Sequence, residues 1–212
     1  AQLCDVVGKK DDGRDYVQTC TQGIFMQIFQ PLEPEDLALV KNLVQTKNTV
    51  KKFCSTFKDK QIMFDACTSE SWPLFGAELM NPKYMEKFCS YSTAPYAYKK
   101  CQANMMSMIT LSLVLKNTEL SGLNDFCLGL SSSEKRGDCF ASAAGRLIQI
   151  DPVFVTRALS VCQTADKSKL GKSCYETVVQ YGKLSFLLDS KEYKDYCTKL
   201  PDSWSKMCLE AK

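Results

Sequence analysis

Twelve cysteines and no histidine restrict what this 212-residue chain can fold into more than any other feature. The cysteines are Cys4, Cys20, Cys54, Cys67, Cys89, Cys101, Cys127, Cys139, Cys162, Cys174, Cys197 and Cys208. They fall into six successive pairs, with spacers of 15, 12, 11, 11, 11 and 10 residues inside the pairs. Between pairs the spacers are 33, 21, 25, 22 and 22, so from the second pair onward the period is 35 to 38 residues. A helical-hairpin repeat has this length. No C-x2-C or C-x4-C chelate occurs, and structural zinc needs closely spaced thiolates and imidazoles. No metal is expected. The pairs read as disulfides formed in an oxidising compartment, and the protein is expected to be secreted.

The surroundings of the pairs repeat as well. Leu3, Phe53, Phe88, Phe126, Val161 and Tyr196 each precede the first cysteine of a pair. Turn formers such as "STAP", "GLSSSEKRGD" and "TKLPDS" fill the spacers. After the second cysteine the pattern turns helical. "CFASAAGRLIQI" sets Phe140, Ala143, Ala144, Leu147 and Ile148 on one stripe, and "CYETVVQYGKLSFLL" does so with Tyr175, Val178, Val179, Leu184 and Leu187. The first cysteine is therefore expected to close one helix and the second to open the next. Pairing within each unit would close a loop of about 12 residues, worth roughly 3 kcal/mol of denatured-state entropy. The same period also permits pairing between neighbouring units.

Other helix signals fill most of the chain. In "PLEPEDLALVKNLVQTKNTVKKFC", Pro34, Glu35 and Asp36 suit a first turn, and Leu37, Val40, Val44 and Phe53 form a core stripe. Asp151 is placed to cap a helix with Pro152 at its first position. A last short helix is expected from Asp202 or Ser203. Alternating strand patterns are absent. The expected fold is all-α: disulfide-stapled helical repeats of about 35 residues, nine to twelve helices in all, packed into one compact domain over residues 1–212.

Charge and motifs exclude more than they suggest. The net charge of +3 comes from 27 basic and 24 acidic residues that are well mixed, with only four arginines. Nucleic-acid binding, which concentrates arginine and lysine on one face, is not expected. No apolar run is long enough to span a bilayer. The start at Ala1 reads as a mature chain from which a signal peptide has been removed. Without histidine, Ser-His-Asp and Cys-His catalysis cannot be built. Glycine-rich phosphate loops and EF-hand loops are also missing. An enzyme and a cofactor are not expected.

One stretch points toward binding. On a helix, "NMMSMITLSLVL" carries apolar residues around nearly its whole circumference, which requires burial. Such a helix is either ordinary core or, because methionine adapts to irregular guests, the wall of a cavity. The cavity reading takes Met105, Met106, Met108 and Ile109 together with Phe25, Met26 and Phe29 of "GIFMQIF" as ligand-binding residues, with Tyr98 or Lys99 as a polar anchor.

"MEKFCSYSTAPYAYKKCQANM" and "YKDYCTKLPDSWSKMCLEA" resemble a phrase of the arthropod 27 kDa hemolymph glycoproteins: aromatic, cysteine, short turn, cysteine, helix. The likeness covers these two segments; spacer lengths differ, and no N-x-S/T sequon occurs. It implies a helical protein of an extracellular body fluid and supplies no site residues. Two functions stand together on these grounds. One is a secreted, non-enzymatic carrier of a small hydrophobic ligand such as a lipid or fatty acid. The other is a secreted interaction module or effector that binds an extracellular protein partner through its surface.

Overall fold

A computed structural model describes residues 4, 6, 16–30, 40–43, 45–91, 95–115 and 119–210. Among them are twelve α-helices and no strand. In chain order these are α1 (Tyr16–Phe29), α2 (Val50–Ser55), α3 (Gln61–Glu70), α4 (Gly76–Leu79), α5 (Pro82–Cys89) and α6 (Pro95–Thr110). There follow α7 (Ser121–Leu128), α8 (Ser133–Ile150), α9 (Val155–Asp166), α10 (Gly171–Ser185), α11 (Lys191–Cys197) and α12 (Asp202–Leu209). Contacts sort the chain into two compact units. The first comprises Ala1–Leu79 and Lys87–Ala94, the second Met80–Glu86 and Pro95–Lys212.

The cysteines pair locally. Cys4–Cys20, Cys54–Cys67, Cys127–Cys139, Cys162–Cys174 and Cys197–Cys208 are joined, with Cα–Cα distances of 5.4 to 5.6 Å. Cys89 and Cys101 are also disulfide-bonded, and none of the twelve is free. One detail differs from the expectation. The second cysteine does not open its helix; it lies inside one already begun. α8 starts six residues before Cys139, α10 three before Cys174 and α12 six before Cys208. The start of α8 is set by Ser132, whose hydroxyl accepts the Lys135 N–H. The staple thus joins the end of one helix to the first or second turn of the next.

In the second unit α8 is the central element, packed against α6, α9 and α10. Its Cys139, Phe140, Ala143, Ala144, Leu147 and Ile148 are all buried. Phe126, Val161 and Tyr196, each just before a staple, are buried too, so every staple there is seated on an apolar anchor. Asp151 caps as expected: its carboxylate accepts the Val153 N–H at 2.9 Å and starts a 3-10 turn, Pro152–Phe154, that leads into α9. The stripe of α10 stops short. Leu184 and Leu187 are 74% and 82% exposed: Leu184, still inside the helix, faces the side opposite Tyr175, and Leu187 lies beyond the helix end at Ser185, where Phe186 turns extended. Gly182 of α10 lies against the Tyr196 ring of α11, and the Tyr196 hydroxyl donates to the Val178 carbonyl at 2.6 Å. A β-carbon at Gly182 would collide with that ring.

The first unit packs α1 and α2 on α3. Phe25, Ile28, Val40, Val50, Cys54, Ala66 and Cys67 form its core. The long helix expected from Pro34 to Phe53 is not one element. Residues 41–43 and 47–49 are turns, and α2 begins only at Val50. Pro34, Glu35, Asp36, Leu37 and Val44 lie outside the described residues, while Val40 is buried as expected.

A carboxylate cluster fixes α5 to the start of α8 within the second unit. Glu86 accepts from Lys135 Nζ at 2.8 Å and from the Ser131 hydroxyl at 2.6 Å. Burial opposes its ionisation, but these bonds outweigh burial and hold its pKa below the ordinary carboxylate value. A depressed pKa stabilises the fold above the unfolded value, about 4.3 for glutamate, and that contribution is lost as pH falls through the folded value. Glu86→Gln should therefore lower stability at neutral pH by about 1 kcal/mol or more. The deficit should close below about pH 4 in denaturant titrations of the two proteins. Gly182→Ala should cost about 1–3 kcal/mol by overpacking, read as a lower thermal midpoint with unchanged helicity at low temperature. Thiol titration in denaturant should find none free, and unreduced peptide mapping should recover Cys127 joined to Cys139.

Candidate functional site

The first unit contains an apolar cleft of about 140 Å3. Helix α1 supplies Thr21, Ile24, Phe25 and Ile28, residues spaced three and four apart and therefore on one helix face. Leu43 comes from the turn after Val40, Phe53 from α2, Phe57 from the turn beyond it and Met63 from α3. The Cys54–Cys67 staple holds α2 to α3, which sets the spacing of this second wall. The rings are arranged edge to face: Phe57 stands 5.4 Å from Phe25 and 5.5 Å from Phe53. These geometries are the favoured ones for aromatic pairs.

Among the lining side chains only Thr21 has a polar atom, and its hydroxyl already donates to the Val17 carbonyl at 2.7 Å. No lining residue is ionisable. Such a cleft has no group for acid–base or nucleophilic work. It can take an apolar group out of water, and Met63 gives it some adaptability. Its volume is close to that of an engineered cavity that binds benzene, and below the 300–1,000 Å3 usual for larger ligands.

The seven residues expected to bind ligand are divided between the two units. Phe25 lines the cleft; Phe29 stacks on Phe25 at 6.5 Å without lining it, and Met26 is 41% exposed. Met105, Met106 and Ile109 are buried in the second unit, and Met108 is half-buried. Met106 Sδ lies 3.7 Å from the Cys139 sulfur, so this methionine fills the space beside a staple. Ala103 and Asn104 on the same helix are exposed, and Leu111–Leu115 widens into a π turn. The helix is accordingly buried along one face only. Of the two candidate anchors, Tyr98 is half-buried with its ring 4.3 Å from Lys135 Nζ. Burial first, then the Glu86 and Asp138 carboxylates, raise its pKa. Lys99 borders a larger, polar cleft of about 320 Å3 among α6, α8 and α10.

Ile24 and Ile28 belong to the "GIFMQIF" stretch read as cavity wall, whereas Thr21, Leu43, Phe53, Phe57 and Met63 are not separable from ordinary core by sequence reasoning. The spacing of Ile24, Phe25 and Ile28 on one helix face was the only available signal. Among the described residues no three Cys, Asp or Glu side chains are grouped to hold a metal ion, and no helix is long and apolar enough to cross a membrane. No protein-family model matches the sequence, and neither the curated proteins nor the solved structures include a match.

Met106→Trp should overpack the core beside Cys139 and lower stability by about 1–3 kcal/mol. Chemical denaturation of the variant checks this.

Proposed function

We propose that this protein is a secreted, non-enzymatic binding protein, and that the cleft centred on Phe25 holds a small hydrophobic ligand. One observation carries the reading: eight side chains from three helices and two turns enclose space with no unsatisfied polar atom and no charge. Apolar surface leaving water there contributes about 25 cal/mol per Å2. The volume favours a single ring or the end of an acyl chain over a whole lipid. Affinities from high micromolar to millimolar are the matching range for so small a guest.

Titrating toluene and octanoate against the oxidised protein, followed by NMR of the Ile24, Ile28 and Met63 methyl groups, tests the reading. Saturable shifts confined to these groups are expected. Ile24→Trp, at the partly exposed mouth, should abolish them without lowering the thermal midpoint. If neither probe perturbs these methyl groups, the carrier function fails. The alternative, a protein-interaction surface, draws its own support from Leu184, Leu187 and Leu188, exposed together where α10 gives way to α11.

A further inference from the structure

The polar cleft of the second unit has properties the Phe25 cleft lacks. It lies where α6 and α10 both pack on α8, and it is open because Ala103, Ala141 and Ser142 are small. Gly145 brings the third wall close: a β-carbon there would lie 2.5 Å from Tyr181 Cε2 and 2.9 Å from Thr177 Cγ2. Tyr181 is held in turn by Gln149, whose Nε2 donates to its hydroxyl at 2.9 Å.

Gln102 lines this cleft and is only 1% exposed. Its Nε2 donates to the Lys135 carbonyl at 2.9 Å, while its Oε1 is buried with no hydrogen-bond partner. Exchanging the amide nitrogen and oxygen would set Oε1 against that carbonyl, so the orientation is determined. A buried acceptor left unpaired is costly, and a ligand that donates to it recovers the loss. The oxygen is closed off as the side chain stands, so a donor in the cleft meets it by drawing the Gln102 amide outward.

The charges around it narrow the chemistry. Lys99 stands at the cleft, paired with Glu134 at 2.8 Å and with Asp138 at 3.7 Å. An ammonium ligand would meet the lysine, and a carboxylate or phosphate ligand would meet Asp138. A neutral molecule with several hydroxyls meets neither objection. It can donate to Gln102 Oε1 and Asp138, and exchange bonds in either direction with Ser142, Thr177 and Gln180. The volume of about 320 Å3 lies at the small end of ligand sites.

We propose that the cleft among α6, α8 and α10 binds a neutral, polyhydroxylated small molecule of monosaccharide size, with Gln102 Oε1 and Asp138 accepting its hydroxyl protons. This site is independent of the Phe25 cleft. The test uses the full oxidised chain, with glucose, galactose, N-acetylglucosamine and myo-inositol as probes and ethanolamine and acetate as charged controls. At least one polyol should produce saturable NMR shifts at the Gln102 side-chain amide and at Thr177, with neither control doing so. Ala103→Leu, at an exposed position on the cleft wall, should weaken that binding by about tenfold or more while the thermal midpoint holds. Gln102→Leu should weaken it comparably if the variant folds. Failure of every polyol to saturate, equal shifts from a charged control, or undiminished binding in Ala103→Leu would each overturn the proposal.

Discussion

Helices of six to eight residues do not persist alone in water, because nucleation costs more than so few hydrogen bonds return. This chain contains several: α2 has six residues, α11 seven, and α5, α7 and α12 eight each. The disulfide at the end of each is what lets such short elements serve as walls. Cys197–Cys208 holds α11 to α12, and Cys127–Cys139 holds α7 to the longer α8. Each bond removes freedom from the unfolded chain rather than adding contact area, so modest cores suffice. The residue before the staple, Phe126, Val161 or Tyr196, then buries its side chain and converts the covalent link into a packed corner.

The same device positions both clefts. In the first unit Cys54–Cys67 sets α2 beside α3, and the space left between their Phe53 and Met63 side chains faces α1. In the second, α8 is stapled to the helix before it and packs α6 and α10 on its flanks, where alanine and serine leave room. Neither space results from a gap in an otherwise finished core. Each lies where helices held by disulfides meet, the first walled by large aromatic and aliphatic side chains and the second left open by small ones.

Much of the fold was legible because its signals are local. Cysteine spacing, the aromatic before each staple and the Asp151–Pro152 start are read within a few residues of where they act. Errors arose where a pattern outran its element. Leu187 continues the apolar run of α10, yet the backbone has already turned at Phe186, and Leu184 faces away from the buried side of the helix. The methionines were singled out by composition, but three-dimensional context decides whether a methionine fills or lines, and Met106 fills. Phe25 was identified, whereas Phe53, Phe57 and Met63 reach it from elements nearly thirty or more residues away. Gln102 gives no sequence signal; what distinguishes it is a single unpartnered oxygen.

The shortness of the described disulfide loops has a kinetic consequence. Partners are separated by 11 to 16 positions, and in each of these bonds a cysteine joins the next one along the chain. Loops of this size close in about 10–100 ns, whereas thiol–disulfide chemistry takes seconds to hours. Each thiol therefore meets its native partner very many times before it is oxidised. Any wrong partner must be brought in across a longer stretch of chain, at greater entropic cost. Correct bonding in this molecule follows from simple adjacency: oxidation proceeding in chain order needs little reshuffling, even with twelve cysteines to sort.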